Sequence, residues 1–231
     1  MGTYVGYEVI SPVPNFNYST SYLFSYGPFQ NGGIKANFAF SDKFGLMVGA
    51  FNHFDSYTND GYPLSFGAQL YVAPVDGMNI YLNMASSEAS GEIFDLTATW
   101  QATDKFLIGL NAANRSNGAL LIQESSDNVS FTGVAAYFDY SFSDPFALGL
   151  RFENFSDTDE ATVFGFYDAV AGNTVKTSVN AITLSANLTS GPFRLIPEFR
   201  MDMGSNEIFT DSNGAAVKSA TQFLIAGVYS F

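Results

Sequence analysis

Charged residues are scarce in this chain, and their scarcity excludes several classes of protein. Only 13% of the 231 residues are charged, against roughly a quarter in ordinary soluble domains. Nine residues are Lys or Arg and the formal net charge is −13. Binding to nucleic acid phosphates needs clustered basic residues, so a nucleic acid partner is excluded.

Long apolar runs and cysteine are missing as well. Although 47% of the residues are hydrophobic, no stretch approaches the roughly 18 consecutive apolar residues of a spanning helix. The absence of Cys excludes disulfide frameworks, Cys-ligated zinc and thiol catalysis. Met1-Gly2-Thr3-Tyr4 is unlike a signal peptide, so we expect that a signal was removed or that the start is missing.

Aromatic residues, in contrast, are abundant. The 24 Phe and 13 Tyr favour pleated strands and membrane interfaces. Asp, Gly and Pro form short turns, after which a large apolar residue restarts the strand. Five segments follow this pattern: Ser41-Asp42-Lys43-Phe44, Val75-Asp76-Gly77-Met78, Thr103-Asp104-Lys105-Phe106, Ser143-Asp144-Pro145-Phe146 and Ser190-Gly191-Pro192-Phe193.

The pattern predicts an all-β chain made of hairpins. We expect about twelve strands, at 3–10, 32–41, 44–53, 63–73, 78–86, 92–102, 105–115, 129–141, 146–155, 176–189, 193–203 and 218–231. The connections alternate between tight turns and long acidic loops. Short turns at one rim and long loops at the other are typical of an antiparallel up-and-down outer-membrane β-barrel, so residues 1–231 are expected to form one such domain.

Alternation along the strands predicts which side chains face lipid. One face of each strand contains no charged residue, as in Phe106, Ile108, Leu110 and Ala112. A soluble β-sandwich also alternates, but its outer polar face normally carries many more charges. Aromatic residues near the short turns form a predicted membrane girdle: Phe40, Phe44, Trp100, Phe106, Tyr140, Phe146, Phe193 and Phe231.

The opposite face is polar and is expected to line a water-filled lumen. Its charges could set a transverse field that orders polar solutes, or they could form salt bridges that brace a narrow barrel. The predicted pore-lining residues are Lys35, Asn83, Asp95, Asn111, Arg151, Glu153, Thr183, Arg194, Glu198 and Arg200.

The segment 11–31 is too aromatic to be a freely solvated loop. We hypothesise that it folds into the lumen as a constriction; it could also pack across the rim or form two short extra strands. Its aromatic residues are Phe16, Tyr18, Tyr22, Phe24 and Tyr26, together with Phe29.

Several passages resemble the OmpL-like beta-barrel porin family of bacterial outer membranes. They are Gly6-Tyr7-Glu8-Val9-Ile10, the stretch from Asn15-Phe16-Asn17 to Gly27-Pro28-Phe29, Leu148-Gly149-Leu150-Arg151-Phe152-Glu153, and Leu195-Ile196-Pro197-Glu198-Phe199-Arg200. Family members are longer, with further strands ahead of Gly6-Tyr7-Glu8. The resemblance therefore implies that this chain is an N-terminally truncated barrel, and that the true pore has more strands and is wider than twelve strands would give. Tyr229 and terminal Phe231 resemble the signal read by the barrel-insertion machinery.

These features predict an outer-membrane channel for passive diffusion of small polar solutes or ions. The acidic loops predict a mild preference for cations. The alternative is a non-conducting barrel that binds a partner or serves a structural role through those loops. An outer-membrane enzyme is disfavoured because no paired base and nucleophile is evident beyond His53 and Ser56. We expect no cofactor or metal, and contact with lipid and lipopolysaccharide; the sequence leaves the oligomeric state and the solute open.

Overall fold

The computed structural model describes residues 1–59, 61–119, 128–157, 167–168, 173–174 and 176–230. Within them lies one antiparallel sheet of eleven strands in which each strand pairs with the next along the chain. The strands are β1 Gly33–Ser41, β2 Phe44–Phe51, β3 Ser65–Val72, β4 Met78–Ser87, β5 Gly91–Thr103, β6 Phe106–Ala119, β7 Asn128–Ser143, β8 Phe146–Asp157, β9 Ser178–Ser190, β10 Phe193–Gly204 and β11 Ser219–Tyr229. The predicted meander of hairpins is confirmed.

Minor elements complete the described part of the chain. One short helix, α1, covers Tyr22–Tyr26, and Ser21 caps it by accepting a hydrogen bond from the Phe24 amide. Two small hairpins lie in the connections, one pairing Tyr167–Asp168 with Asn173–Thr174 and the other Phe209–Thr210 with Ala216–Val217. No helix among the described residues is long and apolar enough to cross a membrane.

The tight turns form for local reasons. In the β1–β2 turn the Ser41 hydroxyl accepts a hydrogen bond from the Lys43 amide at 3.2 Å, and Thr103 does the same for Lys105 at 3.3 Å. A shift in strand register precedes both turns and also the β7–β8 turn. Such bulges increase the local twist, which helps the chain reverse at the same rim each time.

The sheet's convex face is apolar and exposed. Ile34 is 83% exposed, Phe223 66% and Phe66 64%, and these side chains belong to a continuous face extending across the strands. Monomeric soluble proteins rarely expose apolar patches larger than a few hundred Å². A β-sandwich would instead bury this face against a second sheet, so the surface is suited to lipid.

Residues 1–31, hereafter the inner segment, lie on the concave face. They form no strand there; only an isolated bridge pairs Gly2 with Gln30. The predicted first strand at 3–10 is therefore wrong, and Gly6 interrupts it with a positive φ of 91°. The packed core consists of residues from the inner segment, from β4, β5, β7 and β8, and from the loop after β2, namely Val5, Leu23, Tyr26, Phe54, Ala85, Ile93, Phe131, Ala135, Tyr137 and Phe155.

The two outermost strands differ from the rest. All residues of β1 are exposed on both faces, and no ladder among the described residues joins β1 to β11. Since neighbouring strands alternate in direction, β1 and β11 run the same way. The inner segment thus lies beside a wall formed mainly by β3 to β10, with β1 and β11 at its open side.

Candidate functional site

Acidic side chains of the wall bind backbone amides of the inner segment. Glu198 on β10 accepts hydrogen bonds from the amides of Tyr18 at 2.7 Å and Ser19 at 2.9 Å. Glu153 on β8 accepts from Tyr22 and Leu23, the first amides of α1, at 2.9 and 2.8 Å. The amides at a helix start have no partner within the helix, so Glu153 satisfies two of them.

Asp95 on β5 holds the beginning of the inner segment. Its carboxylate accepts hydrogen bonds from the Gly6 amide at 3.1 Å and from the side-chain amides of Asn83 and Asn111 at 2.6 and 2.5 Å. Gln69 continues this network, donating to Asn83 at 2.8 Å and to the Tyr4 carbonyl at 3.1 Å. Four neighbouring strands, β3 to β6, therefore supply one connected polar network beneath Gly6.

Arginines of the wall bind carbonyl groups of the same segment. Arg115 on β6 donates to the Tyr26 carbonyl at 3.2 Å, and Arg200 on β10 donates to the Thr20 carbonyl at 2.7 Å. Arg194, also on β10, donates to the carbonyls of Pro12 and Val13 at 2.8 and 2.9 Å.

Arg151 makes the most buried of these contacts. Its guanidinium pairs with the Glu8 carboxylate at 2.5 Å, and it also donates to the Ser19 carbonyl at 2.7 Å and to the Thr183 hydroxyl at 3.1 Å. Glu8 in turn accepts from the amide and hydroxyl of Ser21, both at 2.7 Å. Buried backbone groups must find hydrogen-bond partners, and for this irregular segment the wall provides them.

Glycines on the concave face make room for side chains of the inner segment. An added Cβ at Gly109 would overlap the Tyr7 ring, and one at Gly149 would overlap the Phe16 ring. The same holds for Gly67 beneath Tyr4 and for Gly133 beneath Leu23. Four strands therefore carry a glycine directly under a bulky group of the inner segment, a fit that bulkier residues would prevent.

The predicted pore-lining residues lie on the concave face, but most contact the inner segment instead of open water. Asn83, Asn111 and Thr183 instead bond to other residues of the wall, and Lys35 lies on the exposed strand β1. Members with little or no exposed surface are Asn83, Asp95, Asn111, Arg151, Glu153, Thr183 and Glu198. Arg194 and Arg200 retain partial exposure. The alternation of apolar and polar residues along the strands indicates the face on which these side chains lie. It does not reveal that the inner segment covers most of them.

The aromatic residues of the proposed constriction occupy different depths. Tyr26 is buried and stacks on Phe155 with ring centroids 4.8 Å apart. Phe16 lies over Gly149. The Tyr22 ring lies under the Arg200 guanidinium, with 5.0 Å between the guanidinium carbon and the ring centroid. Tyr18 and Phe24 line the cavity on the open side of the inner segment.

Among the described residues, two large cavities lie between the inner segment and the wall. The first, of about 540 Å³, faces the short-turn side and is lined by residues such as Tyr7, Phe16, Tyr81, Asp139 and Arg194. The second, of about 740 Å³, extends along the open side and is lined by Tyr18, Thr20, Tyr22, Phe24, Phe29, Arg200, Asp202 and Gln222, among others. Arg200 and Asp202 form an ion pair at 2.9 Å beside it.

The predicted girdle residues lie on the convex face near the short turns. Phe40, Phe44, Trp100, Tyr140 and Phe193 are exposed, Phe106 and Phe146 are half-buried, and Phe231 lies outside the described residues. Sequence reasoning missed Phe142, which is 51% exposed and packs between Tyr140 and Phe146 with ring centroids at 4.7 and 5.4 Å. It lies at the register shift before the β7–β8 turn, which the alternation pattern does not reveal.

Comparison with known proteins identifies a family. The model of the family described as "Putative beta-barrel porin-2, OmpL-like" matches residues 1–231. No curated protein matches the chain in sequence.

Solved outer-membrane proteins share the fold. The outer membrane channel DcaP of Acinetobacter baumannii is 14% identical, with a TM-score of 0.57 over 85% of this chain and 61% of that one. The trimer form of OmpT of Vibrio cholerae is 14% identical, with a TM-score of 0.57 over 97% of this chain and 75% of that one. The chain thus spans less than two-thirds of DcaP, and at these identities the likeness concerns the fold.

Proposed function

The chain belongs to the OmpL-like beta-barrel porin family of the bacterial outer membrane, and on that basis we propose that it is a passive channel for small polar solutes or ions, narrowed by its inner segment. Residues 1–31 act as a fixed constriction in this proposal. Solutes pass between the inner segment and the open side formed by β10, β11 and β1. The chain needs no cofactor and catalyses no reaction.

The second cavity is the observation that carries this proposal. It combines aromatic side chains of the inner segment with the polar groups of Arg200, Asp202 and Gln222. Polar and charged groups beside a passage can replace part of a solute's hydration. Lys35 on β1 also remains exposed on the concave face, so the open side retains solvated charge.

We propose further that the channel mildly prefers cations. The net charge is −13, and acidic residues such as Asp55, Glu207 and Asp211 lie in the long connections. Negative charge near a mouth raises the local concentration of cations. The preference is expected to be mild because Lys35, Arg194 and Arg200 lie further inside.

A non-conducting barrel is the second candidate. The observation in its favour is the extent to which the inner segment fills the lumen, with Arg151 and Glu198 almost completely buried beneath it. In that case the acidic loops would be the functional surface and would bind a partner.

Conductance with a site-directed blocker separates the two candidates. The chain contains no cysteine, so Gln222→Cys introduces a single thiol beside the second cavity. In planar bilayers we expect stable currents that fall when a bulky, water-soluble thiol reagent is added. Phe223→Cys is the matched control, because Phe223 is the next residue along β11 and its side chain is exposed on the convex face. The reagent should not change the currents of this variant.

Two results would contradict the channel proposal. An absence of current from protein shown to be folded and inserted would favour the non-conducting barrel. Currents that the reagent leaves unchanged in the Gln222→Cys variant would show that solutes do not pass along the open side.

A further inference from the structure

The first cavity contains a charged group that the inner segment does not use. Asp139 on β7 lies opposite Gly149 of β8, in the lining of the 540 Å³ cavity near the short-turn side. Its Oδ1 atom is buried without a hydrogen-bond partner, and among the described residues no ion pair involves its carboxylate. Burial of an unpaired carboxylate is costly, so a group that supplies positive charge would be stabilised beside it.

The other charges in the cavity lining already have partners. Glu8 is paired with Arg151 at 2.5 Å. Arg194 donates to the carbonyls of Pro12 and Val13, and it lies on β10, three strands away from β7. Asp139 is therefore the acidic group of this lining for which the described residues supply no oppositely charged partner.

Aromatic rings form much of the remaining lining. They belong to Tyr4, Tyr7, Phe16, Tyr81 and Tyr137. Tyr7 stacks on Tyr137 with ring centroids 4.2 Å apart, and the glycines beneath Tyr7 and Phe16 hold these rings close to the wall. Aromatic faces attract cations, and cages of such rings bind organic ammonium groups.

We infer that this cavity is a binding site for a small organic cation, with Asp139 as its counter-ion and the aromatic rings as its walls. The inference deepens the proposed channel function by naming a class of solute. It relies on the channel only for the route by which the cation arrives. Binding can be measured whether or not the barrel conducts, so the two proposals fail separately.

Calorimetric titration of the folded, detergent-solubilised chain tests the inference with three probes of similar size. Benzylamine is a cation at neutral pH, benzyl alcohol is neutral and benzoate is an anion. We expect benzylamine to bind at least about tenfold more tightly than benzyl alcohol, a ratio equivalent to one modest ionic contact. Benzoate should bind most weakly.

Asp139→Asn removes the charge with little change in shape and should abolish the preference for benzylamine. Asp144→Asn is the matched control, because it removes the same charge from the exposed β7–β8 turn; the preference should remain. Equal affinities for benzylamine and benzyl alcohol in the unmodified chain would overturn the inference. So would a preference for benzoate, or a preference for benzylamine that survives Asp139→Asn.

Discussion

Arg151 and Glu8 form an ion pair that water does not reach, with side-chain exposures of 0% and 4%. Removing one partner of such a pair leaves a buried charge without compensation, which typically costs about 3–5 kcal/mol. We therefore predict that Arg151→Met lowers the free energy of unfolding by about that amount. Urea unfolding in lipid vesicles, followed by circular dichroism, measures the change.

The pair formed by Lys43 and Asp76 provides the control. Its atoms are 3.8 Å apart and its side chains are 63% and 103% exposed, so Lys43→Met should cost less than about 1 kcal/mol. If Arg151→Met is no more harmful than Lys43→Met, Arg151 does not anchor the inner segment.

Strands were predictable from the sequence because the information that specifies them is local. Alternation and the short turns depend on neighbours along the chain, and eleven predicted strands recur in the structure within a few residues of their ends. Phe106, Ile108 and Leu110 point outward whatever lies elsewhere in the chain.

The inner segment could not be predicted in the same way. Tyr4-Val5-Gly6-Tyr7 suggests a strand. The inner segment is instead held by Asp95, Arg151 and Glu198, which lie more than 80 positions away from the residues they bind. No local pattern in the sequence shows which carboxylate of the wall binds which distant backbone amide. The inward glycines were the available signal: Gly109 and Gly149 occupy positions where a lumen open to water would accept larger polar residues.

At the scale of the element, we predict that the inner segment remains in place while the channel conducts. The side chains of Asn17 and Ser185 on β9 are 2.7 Å apart, so a cysteine pair at these positions can be joined by oxidation or by a short bismaleimide. Conductance should be the same with the link formed or absent, because the solute path lies along the open side.

Asn17→Cys alone provides the matched control for the effect of the thiol and of the reagent. A current that appears only when the link is absent would contradict the prediction. It would show that the inner segment moves out of the lumen to open the channel.

At the scale of the whole molecule, the origin of the cation preference can be tested by ionic strength. The Debye length falls from about 10 Å at 0.1 M salt to about 3 Å at 1 M. Exposed charges in the connections, such as Glu88 and Asp211, are screened by this change far more than a charge held inside the lumen. We predict that the permeability ratio of potassium to chloride exceeds one at low salt and falls towards one at high salt. Reversal potentials, measured with the same concentration ratio across the bilayer at both salt levels, provide the comparison.

A permeability ratio that stays constant between the two salt levels would contradict an origin in the loops. It would place the selective charge inside, where Asp139 lies in the cavity lining. The reversal potential of the Asp139→Asn variant would then be measured next, and it should shift towards that of an unselective pore.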